Sequence, residues 1–414
     1  MSIESFEIPS IPPEDLALLK QKLKNPKYPN ELEKDVGWKY GAPRRAVEPL
    51  VQTWLNDYDW ENARAELNQW NHCIATIDGL RVHFIHEPSK NPDSIPLLLL
   101  NGWPSTVYEY HKVINTLRDG STNDSQTFHV VIGSMPGFGF SEPPKVPGYG
   151  ASKLGDIFNE LMKLIGYNEY LVHGTDFGSM LGKWLALNRS ENCKGYHTTH
   201  LACIPPVPTP TYLWSHPIKV AKFMASMVLG MDIVYGHGSS KIKGKSFMDV
   251  ENDHEMGYCA IQATRPYTLN FGLTDSPVGL LAWILEKYHN WTYPENKDDH
   301  MVLPDSITAD EFLTQVTIYW LTNSISSSTR FYYEVMNDPS MKDMFMSPVK
   351  IPVGVIYFPA ELMKYPREWI EASSNLQQYN EANVGGHFPA FECGEILVDD
   401  IQRFGKLLKT KEYI

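Results

Sequence analysis

Short runs of apolar residues alternate along the chain with segments of helical periodicity. Residues 95–100, Ile-Pro-Leu-Leu-Leu-Leu, are continuously apolar, as is typical of a parallel strand covered on both faces. Similar runs at 128–133, 169–172 and 353–358 predict further strands, and residues 151–165 have the spacing of a helix. Alternating strands and helices predict an α/β protein with a doubly wound sheet.

Two smaller segments extend this predicted sheet. Residues 77–86 alternate in the manner of a hairpin strand. We expect the stretch 385–391, after the strand at 353–358, to complete the sheet.

The remaining segments predict four parts of the chain. Residues 1–90 form an N-terminal arm, in which leucines follow Pro12-Pro13 at helical spacing and a second helix covers 47–55. Its tryptophans predict packing against the core rather than a binding module. The core covers 91–204 and 347–414, and residues 205–346 between them form a helical cap rich in Met, Trp and Tyr. The predicted cap helices lie at 223–231, 278–288 and 309–322.

The motif Gly174-Thr175-Asp176-Phe177-Gly178 lies between a predicted strand and a predicted helix at 180–187. Such a strained turn exposes the nucleophile in the α/β-hydrolase fold. The nucleophile here is an aspartate, and a carboxylate attacks saturated carbon without needing a base. The acid and the histidine follow in this fold, which points to Glu361 and His387.

These side chains predict two chemical steps. Asp176 forms an alkyl ester with an epoxide or alkyl halide, and His387 activates the water that hydrolyses this ester. Glu361 orients the imidazole and stabilises its charged form. The predicted oxyanion-hole donors are the backbone N–H groups of Phe177 and Trp103.

Composition narrows the possible partners and surroundings. The net charge of −13 argues against nucleic acid, and no apolar run approaches the length of a membrane span. The first residues lack the features of a signal peptide, and five scattered cysteines suit reduced thiols. We therefore expect a cytoplasmic protein without a cofactor. His197 and His200 lie in a strand-like segment and would face opposite sides, so we expect no metal site.

Taken together, the motifs resemble those of the microsomal-type epoxide hydrolases, including soluble fungal members. The resemblance runs from about residue 5 to the C-terminus. It is carried by these segments: Trp38-Lys39-Tyr40-Gly41, Tyr58-Asp59-Trp60, Gly102-Trp103-Pro104, Pro136-Gly137-Phe138-Gly139-Phe140-Ser141, the 174–178 motif, Thr264-Arg265-Pro266, Asp275-Ser276-Pro277-Val278-Gly279-Leu280, Arg330-Phe331-Tyr332, Phe358-Pro359-Ala360-Glu361-Leu362 and Gly385-Gly386-His387-Phe388. It implies an α/β-hydrolase fold with an inserted helical cap and an N-terminal wrapping arm.

The resemblance also implies residue roles that pattern alone does not supply. The tyrosines that activate the epoxide oxygen in this family fall on Tyr258 and Tyr332, although Tyr333 lies next to the second of them. One departure is Asn101, which stands where the family places a histidine before Gly-Trp-Pro. The implied substrates are water and a hydrophobic small-molecule epoxide, and a homodimer is conceivable.

Several alternatives stay open at the level of sequence. A biosynthetic hydrolase or cyclase that opens a natural-product epoxide would use the same residues as a detoxifying enzyme. A haloalkane dehalogenase uses the same aspartate turn but has no use for paired tyrosines. An inactive, ligand-binding member of the fold is the alternative outside enzymes.

Overall fold

The structure, a computed structural model, describes residues 3–122, 124–203, 214–236, 238, 241–242, 255–294 and 301–414. The strands are β1 Ile3–Ser5, β2 His72–Ile77, β3 Leu80–Glu87, β4 Ile95–Leu100, β5 Phe128–Gly133, β6 Tyr170–Gly174, β7 Cys193–Thr198, β8 Lys241–Ile242, β9 Val349–Tyr357, β10 Met363–Lys364 and β11 Ser374–Glu381. Strands β8 and β10 pair with each other in a separate two-stranded sheet. Within these ranges nine strands form one sheet in the order β1-β2-β3-β5-β4-β6-β7-β9-β11. Six of these strands, β5, β4, β6, β7, β9 and β11 in sheet order, run parallel to one another. Strands β3, β2 and β1 extend the sheet beyond β5, each antiparallel to its neighbour.

Helices cover this sheet and form the insertion between β7 and β9. They are α1 Pro13–Lys24, α2 Arg44–Asn56, α3 Trp60–Leu67, α4 Ile114–Asp119, α5 Ala151–Leu164, α6 Phe177–Asn188, α7 Pro217–Leu229, α8 Met231–Tyr235, α9 Gly257–Thr264, α10 Pro266–Asp275, α11 Pro277–Trp291, α12 Ala309–Thr322, α13 Ile325–Met336, α14 Met341–Met346, α15 Arg367–Ser373, α16 Pro389–Glu392 and α17 Gly394–Thr410, with short 3₁₀ turns at Gly37–Tyr40 and Val107–Tyr110. Helix α12 begins with a capping box, in which Thr308 and Glu311 satisfy each other's backbone N–H groups.

Strand register brings the functional loops together. Strands β4 and β6 are adjacent and parallel, and Leu100 is paired with Gly174 at their carboxyl ends. The loops that begin at Asn101 and Thr175 therefore leave the same edge of the sheet side by side. The last four residues of β4 are fully buried leucines, and each stabilises the fold by about 1.5–3 kcal/mol.

One sequence-based expectation about the sheet is wrong. Within the stretch 385–391, residues 385–388 form a loop and the remainder belongs to α16. The strand that completes the sheet is β11, at its edge. Residues of β11, Ser-Asn-Leu-Gln-Gln-Tyr-Asn-Glu, are only partly buried. An edge strand needs no apolar face on its open side and is commonly polar, so its pattern does not stand out in the sequence.

The N-terminal arm packs along one side of the insertion. Helix α2 contacts α11 and α12, and the Tyr58 hydroxyl lies 3.1 Å from Oγ1 of Thr314. Trp54 and Trp60 are buried, while Trp38 stacks on His289 with 3.6 Å between ring centroids. The arm thus supports helices that lie above the sheet.

Helices of the insertion lie over the carboxyl ends of β4 and β6. Tyr258 of α9 and Tyr332 of α13 both contact the ring of Trp103 in the loop after β4. The predicted cap helix at 309–322 coincides with α12, and α11 extends beyond the predicted 278–288 at both ends. Helix α7 begins before the predicted 223–231 but ends at residue 229, and residue 231 already belongs to α8. In the described part of the chain, no helix combines the length and apolar character that crossing a bilayer requires.

Candidate active site

Asp176 lies at a sharp turn between β6 and α6. Its backbone has φ 48° and ψ −126°, a conformation that is costly for a residue with a side chain. The strain is tolerated because the surroundings are tightly packed: a Cβ at Gly178 would lie 2.0 Å from the carbonyl oxygen of Leu100. The turn presents the Asp176 carboxylate at the N-terminus of a helix, where the aligned peptide dipoles favour negative charge.

The loop after β4 holds one oxygen of this carboxylate. The backbone N–H of Trp103 donates to Oδ1 of Asp176 at 2.9 Å. A Cβ at Gly102 would lie 1.8 Å from the same oxygen, so only glycine permits this approach. Phe177 is the first residue of α6, and its N–H therefore lies outside the helix's own hydrogen-bond ladder. Asn101 is buried beside them, with Nδ2 3.4 Å from the carbonyl oxygen of Gly102.

His387 links the two carboxylates that the sequence singled out. Its Nδ1 lies 2.6 Å from Oε1 of Glu361, and its Nε2 lies 3.3 Å from Oδ2 of Asp176. The second contact is an ion pair whose angles fall short of a hydrogen bond. Glu361 also accepts from the N–H of Leu362 at 2.7 Å. Side chains of His387 and Glu361 are 2% and 1% exposed, whereas that of Asp176 retains 19%, so of these three side chains the aspartate is the most accessible.

Electrostatics of this group favour a charged imidazole. Burial would lower the pKa of His387, but the carboxylates of Glu361 and Asp176 outweigh it and raise the pKa to about 10. Burial likewise opposes ionisation of Glu361, yet His387 and the Leu362 N–H hold its pKa below the ordinary value. The neighbouring carboxylates therefore favour the protonated form of His387.

The two tyrosines named from sequence lie beside Trp103, whose N–H binds Asp176. The ring of Trp103 lies 5.4 Å from that of Tyr258 and 5.8 Å from that of Tyr332, and the two phenol rings are 5.8 Å apart. Burial is the largest cause that raises the pKa of both hydroxyls well above 10, and the charge of Asp176 adds to it after the contribution of Cys259 for Tyr258 and of Tyr258 for Tyr332. The neighbouring Tyr333 points outward and is 42% exposed. Geometry thus separates Tyr332 from Tyr333, which the sequence left adjacent.

Sequence reasoning missed three residues around this group. Trp291 packs its ring edge against His387, 5.1 Å between centroids, and also contacts Tyr258. Lys287, only 2% exposed, places Nζ 4.2 Å from the centre of the Tyr258 ring, a distance at which a cation is attracted to the ring face. Both lie in α11 at apolar-patterned positions, with no sequence signal beyond a lysine in an otherwise buried helix face.

A third missed residue is a buried acid in the 3₁₀ turn that follows the loop after β4. Glu109 is 1% exposed, and burial raises its pKa to about 8. Its Oε1 has no hydrogen-bond partner among the described residues. The sequence hint was a single glutamate within the aromatic run Val107-Tyr108-Glu109-Tyr110.

Comparisons with known proteins identify the family of this chain. A family profile for the epoxide hydrolase N terminus matches residues 3–110, and one for the alpha/beta hydrolase fold matches 95–222. Epoxide hydrolase 1 of Sus scrofa is 32% identical over 420 residues, which cover 99% of this chain and 90% of that protein.

Solved structures are similar over nearly the whole chain. Juvenile hormone epoxide hydrolase from the silkworm Bombyx mori superposes with a TM-score of 0.85 at 30% identity, covering 99% of this chain and 96% of that one. The epoxide hydrolase of Aspergillus niger has a TM-score of 0.79 at 28% identity, covering 98% and 97%. This chain therefore belongs to the epoxide hydrolase family, with an α/β-hydrolase fold and a helical cap.

Proposed function

We propose that the protein converts an epoxide to a vicinal diol through a covalent alkyl ester on Asp176. The observation that carries this proposal is that Asp176, His387 and two tyrosines belong to one group of neighbouring side chains around Trp103. Asp176 Oδ2 lies 3.3 Å from His387 Nε2, and Tyr258 and Tyr332 cover Trp103, whose N–H binds the other aspartate oxygen.

The first step is attack by Asp176 on an epoxide carbon. Its Oδ1 is already engaged by the Trp103 N–H, which leaves Oδ2 as the attacking oxygen. A C–O bond forms to Oδ2 while the ring C–O bond breaks, and the negative charge moves to the former epoxide oxygen. Tyr258 and Tyr332 stabilise that oxygen as neutral donors, because their raised pKa values keep them protonated at neutral pH.

Charge at His387 changes when the ester forms. Esterification removes the Asp176 charge, which is one of the two that raise the histidine pKa. The imidazolium then becomes more acidic, and its proton can pass to the alkoxide, giving an alcohol and a neutral imidazole. The proton of His387 thus completes ring opening, and the neutral imidazole that remains can act as a base.

The second step is hydrolysis of the ester. Neutral His387 accepts a proton from water, the hydroxide adds to the ester carbonyl, and the oxyanion is stabilised by the N–H groups of Trp103 and Phe177. The bond between the carbonyl carbon and the alkyl oxygen then breaks, and the hydroxyl proton of the intermediate passes to the departing alkoxide. The diol leaves, the Asp176 carboxylate is restored, and the proton taken from water remains on His387. Glu361, 2.6 Å from Nδ1, stabilises this charged imidazole.

The surroundings favour an apolar substrate. Trp103, Phe177, Tyr258 and Tyr332 supply aromatic walls next to Asp176, and Phe177 lies 4.6 Å from Tyr332 between ring centroids. Such walls bind hydrocarbon parts of a ligand. We therefore infer a hydrophobic epoxide, whether it arises from detoxification or from biosynthesis.

A trapped intermediate tests this proposal. His387→Gln removes the base and its proton but leaves Asp176 and both tyrosines, which stabilise the opened epoxide oxygen until it takes a proton from water, so the variant should alkylate and stop. After incubation with styrene oxide, the mass of the intact protein should increase by the mass of one whole epoxide. Mass spectrometry of its peptides should place this increase on the peptide that contains Asp176. Asp176→Ala is the control and should show no gain. An unmodified His387→Gln protein, beside a wild type that forms diol, would contradict the ester mechanism.

The rival activity is distinguishable by its product. A haloalkane dehalogenase would release bromide from 1-bromobutane and leave epoxides unchanged. Two phenols near the nucleophile favour the epoxide, because a developing alkoxide needs a proton donor and a departing halide does not.

A further inference from the structure

The carboxylate of Glu392 binds the backbone on both sides of His387. Its Oε1 accepts from the N–H of Gly386 and from that of Phe388, each at 3.1 Å. Its Oε2 accepts from the N–H of Tyr293 at 2.6 Å. One side chain therefore ties the histidine loop to the segment that follows helix α11.

A separate bond completes the restraint on this loop. The N–H of His387 itself donates to the carbonyl oxygen of Trp291 at 2.9 Å. Backbone N–H groups of residues 386, 387 and 388 are thus all engaged, so the peptide planes flanking the histidine cannot rotate freely. The loop is also sterically tight, since a Cβ at Gly386 would lie 2.4 Å from the Trp291 oxygen and 3.0 Å from Oε1 of Glu392.

The restraint acts on the base and not on the nucleophile. Asp176 is held by its own strained turn and by the Trp103 N–H, and the phenols are held by α9 and α13. Glu392 binds none of these groups in the contacts above. Its bonds determine where the loop presents His387 Nε2, the atom that must activate water.

We propose that Glu392 is a positioning residue for the hydrolytic half of the reaction. Resting on the ester mechanism proposed above, this role predicts that weakening the carboxylate slows ester breakdown and spares ester formation. A misplacement of a catalytic group by about 1 Å costs on the order of 100-fold in rate, so partial loosening should cost about tenfold or more.

Glu392→Gln weakens the restraint with almost no change in shape. The amide oxygen can still accept from Gly386 and Phe388, but the amide nitrogen then meets the N–H of Tyr293, donor against donor. The matched control is Asp338→Asn. Asp338 also accepts from two backbone N–H groups, those of Ser152 at 3.0 Å and Ser340 at 2.9 Å, and it belongs to a connection outside the candidate site. Both changes replace a carboxylate that binds backbone, so both should lower thermal stability.

The experiment measures the two half-reactions separately. Full-length wild type and each variant are mixed with styrene oxide and quenched with acid after milliseconds to seconds, and the fraction of alkylated protein is read by mass spectrometry. We expect Glu392→Gln to alkylate within a factor of two of wild type, to hydrolyse the ester at least tenfold more slowly and to accumulate ester at steady state. Asp338→Asn should leave both rates unchanged. Equal slowing of both half-reactions in Glu392→Gln, or an unchanged hydrolysis rate, overturns the proposal.

If the glutamine variant does not fold, Glu392→Asp tests the same positioning role. It retains the negative charge but withdraws it by one methylene, and its hydrolysis rate should fall below that of wild type while alkylation is spared. Hydrolysis at the wild-type rate in this variant counts against the proposal. Failure of the ester mechanism itself looks different, because wild type would then show no alkylated protein at any quench time.

Discussion

Replacing Gly102 with alanine tests the geometry of the nucleophile directly. The added Cβ would lie 1.8 Å from Oδ1 of Asp176, and 2.5 Å and 2.6 Å from its Cγ and Cβ. Real Cβ contacts stay beyond 3.0 Å, so the carboxylate or the loop must move by about 1.2 Å, which also disrupts the Trp103 N–H bond. Displacement on this scale costs on the order of 100-fold in rate, equivalent to about 2.7 kcal/mol in the barrier.

Rapid acid quench with mass detection of the ester measures this loss. The alkylation rate of Gly102→Ala should fall about 100-fold, because the nucleophile and its oxyanion donor are both displaced. Gly272→Ala is the matched control: Gly272 is helical, with nothing within 4 Å of its Cβ, and alanine there should stabilise α10 by up to about 1 kcal/mol. A folded Gly102→Ala protein that alkylates at the wild-type rate would refute the placement of Gly102 against Asp176.

Two further predictions follow from burial and charge. Tyr332→Phe should slow alkylation by about 10- to 100-fold, since one of two proton donors is lost, whereas Tyr333→Phe should leave it unchanged because Tyr333 is 42% exposed; equal effects in single-turnover assays would contradict this assignment. The pKa of His387 is raised from 6.5 to about 10 in the folded protein, so its contribution to stability is complete below pH 6.5 and is lost as pH rises toward 10. Urea unfolding across that range should therefore show stability falling more steeply in wild type than in His387→Gln, and parallel curves would be the contrary result.

Much of the core could be predicted from the sequence because its signals are local. The apolar run of β4 and the helical spacing of α5 and α12 identify elements whose burial is reflected in their own residues. Strand β11 was missed because its side chains are polar and its place at the sheet edge depends on pairing with β9. The stretch 385–391 was misassigned because its apolar residues pack in a buried loop and short helix rather than in a strand.

By itself the sequence predicted the residues to which the proposed chemistry is assigned. An aspartate within a glycine-bounded turn, followed by an acid and a histidine in the expected order, predicts a covalent mechanism through the chemical types of these side chains. The choice of Tyr332 over Tyr333 depended on which face of α13 turns toward Trp103. The bonds of Glu392 and the cation of Lys287 over Tyr258 likewise join segments that are distant in sequence. Only the tertiary structure decided these contacts, because hydrogen bonds and ring contacts depend on distances that chain order does not encode.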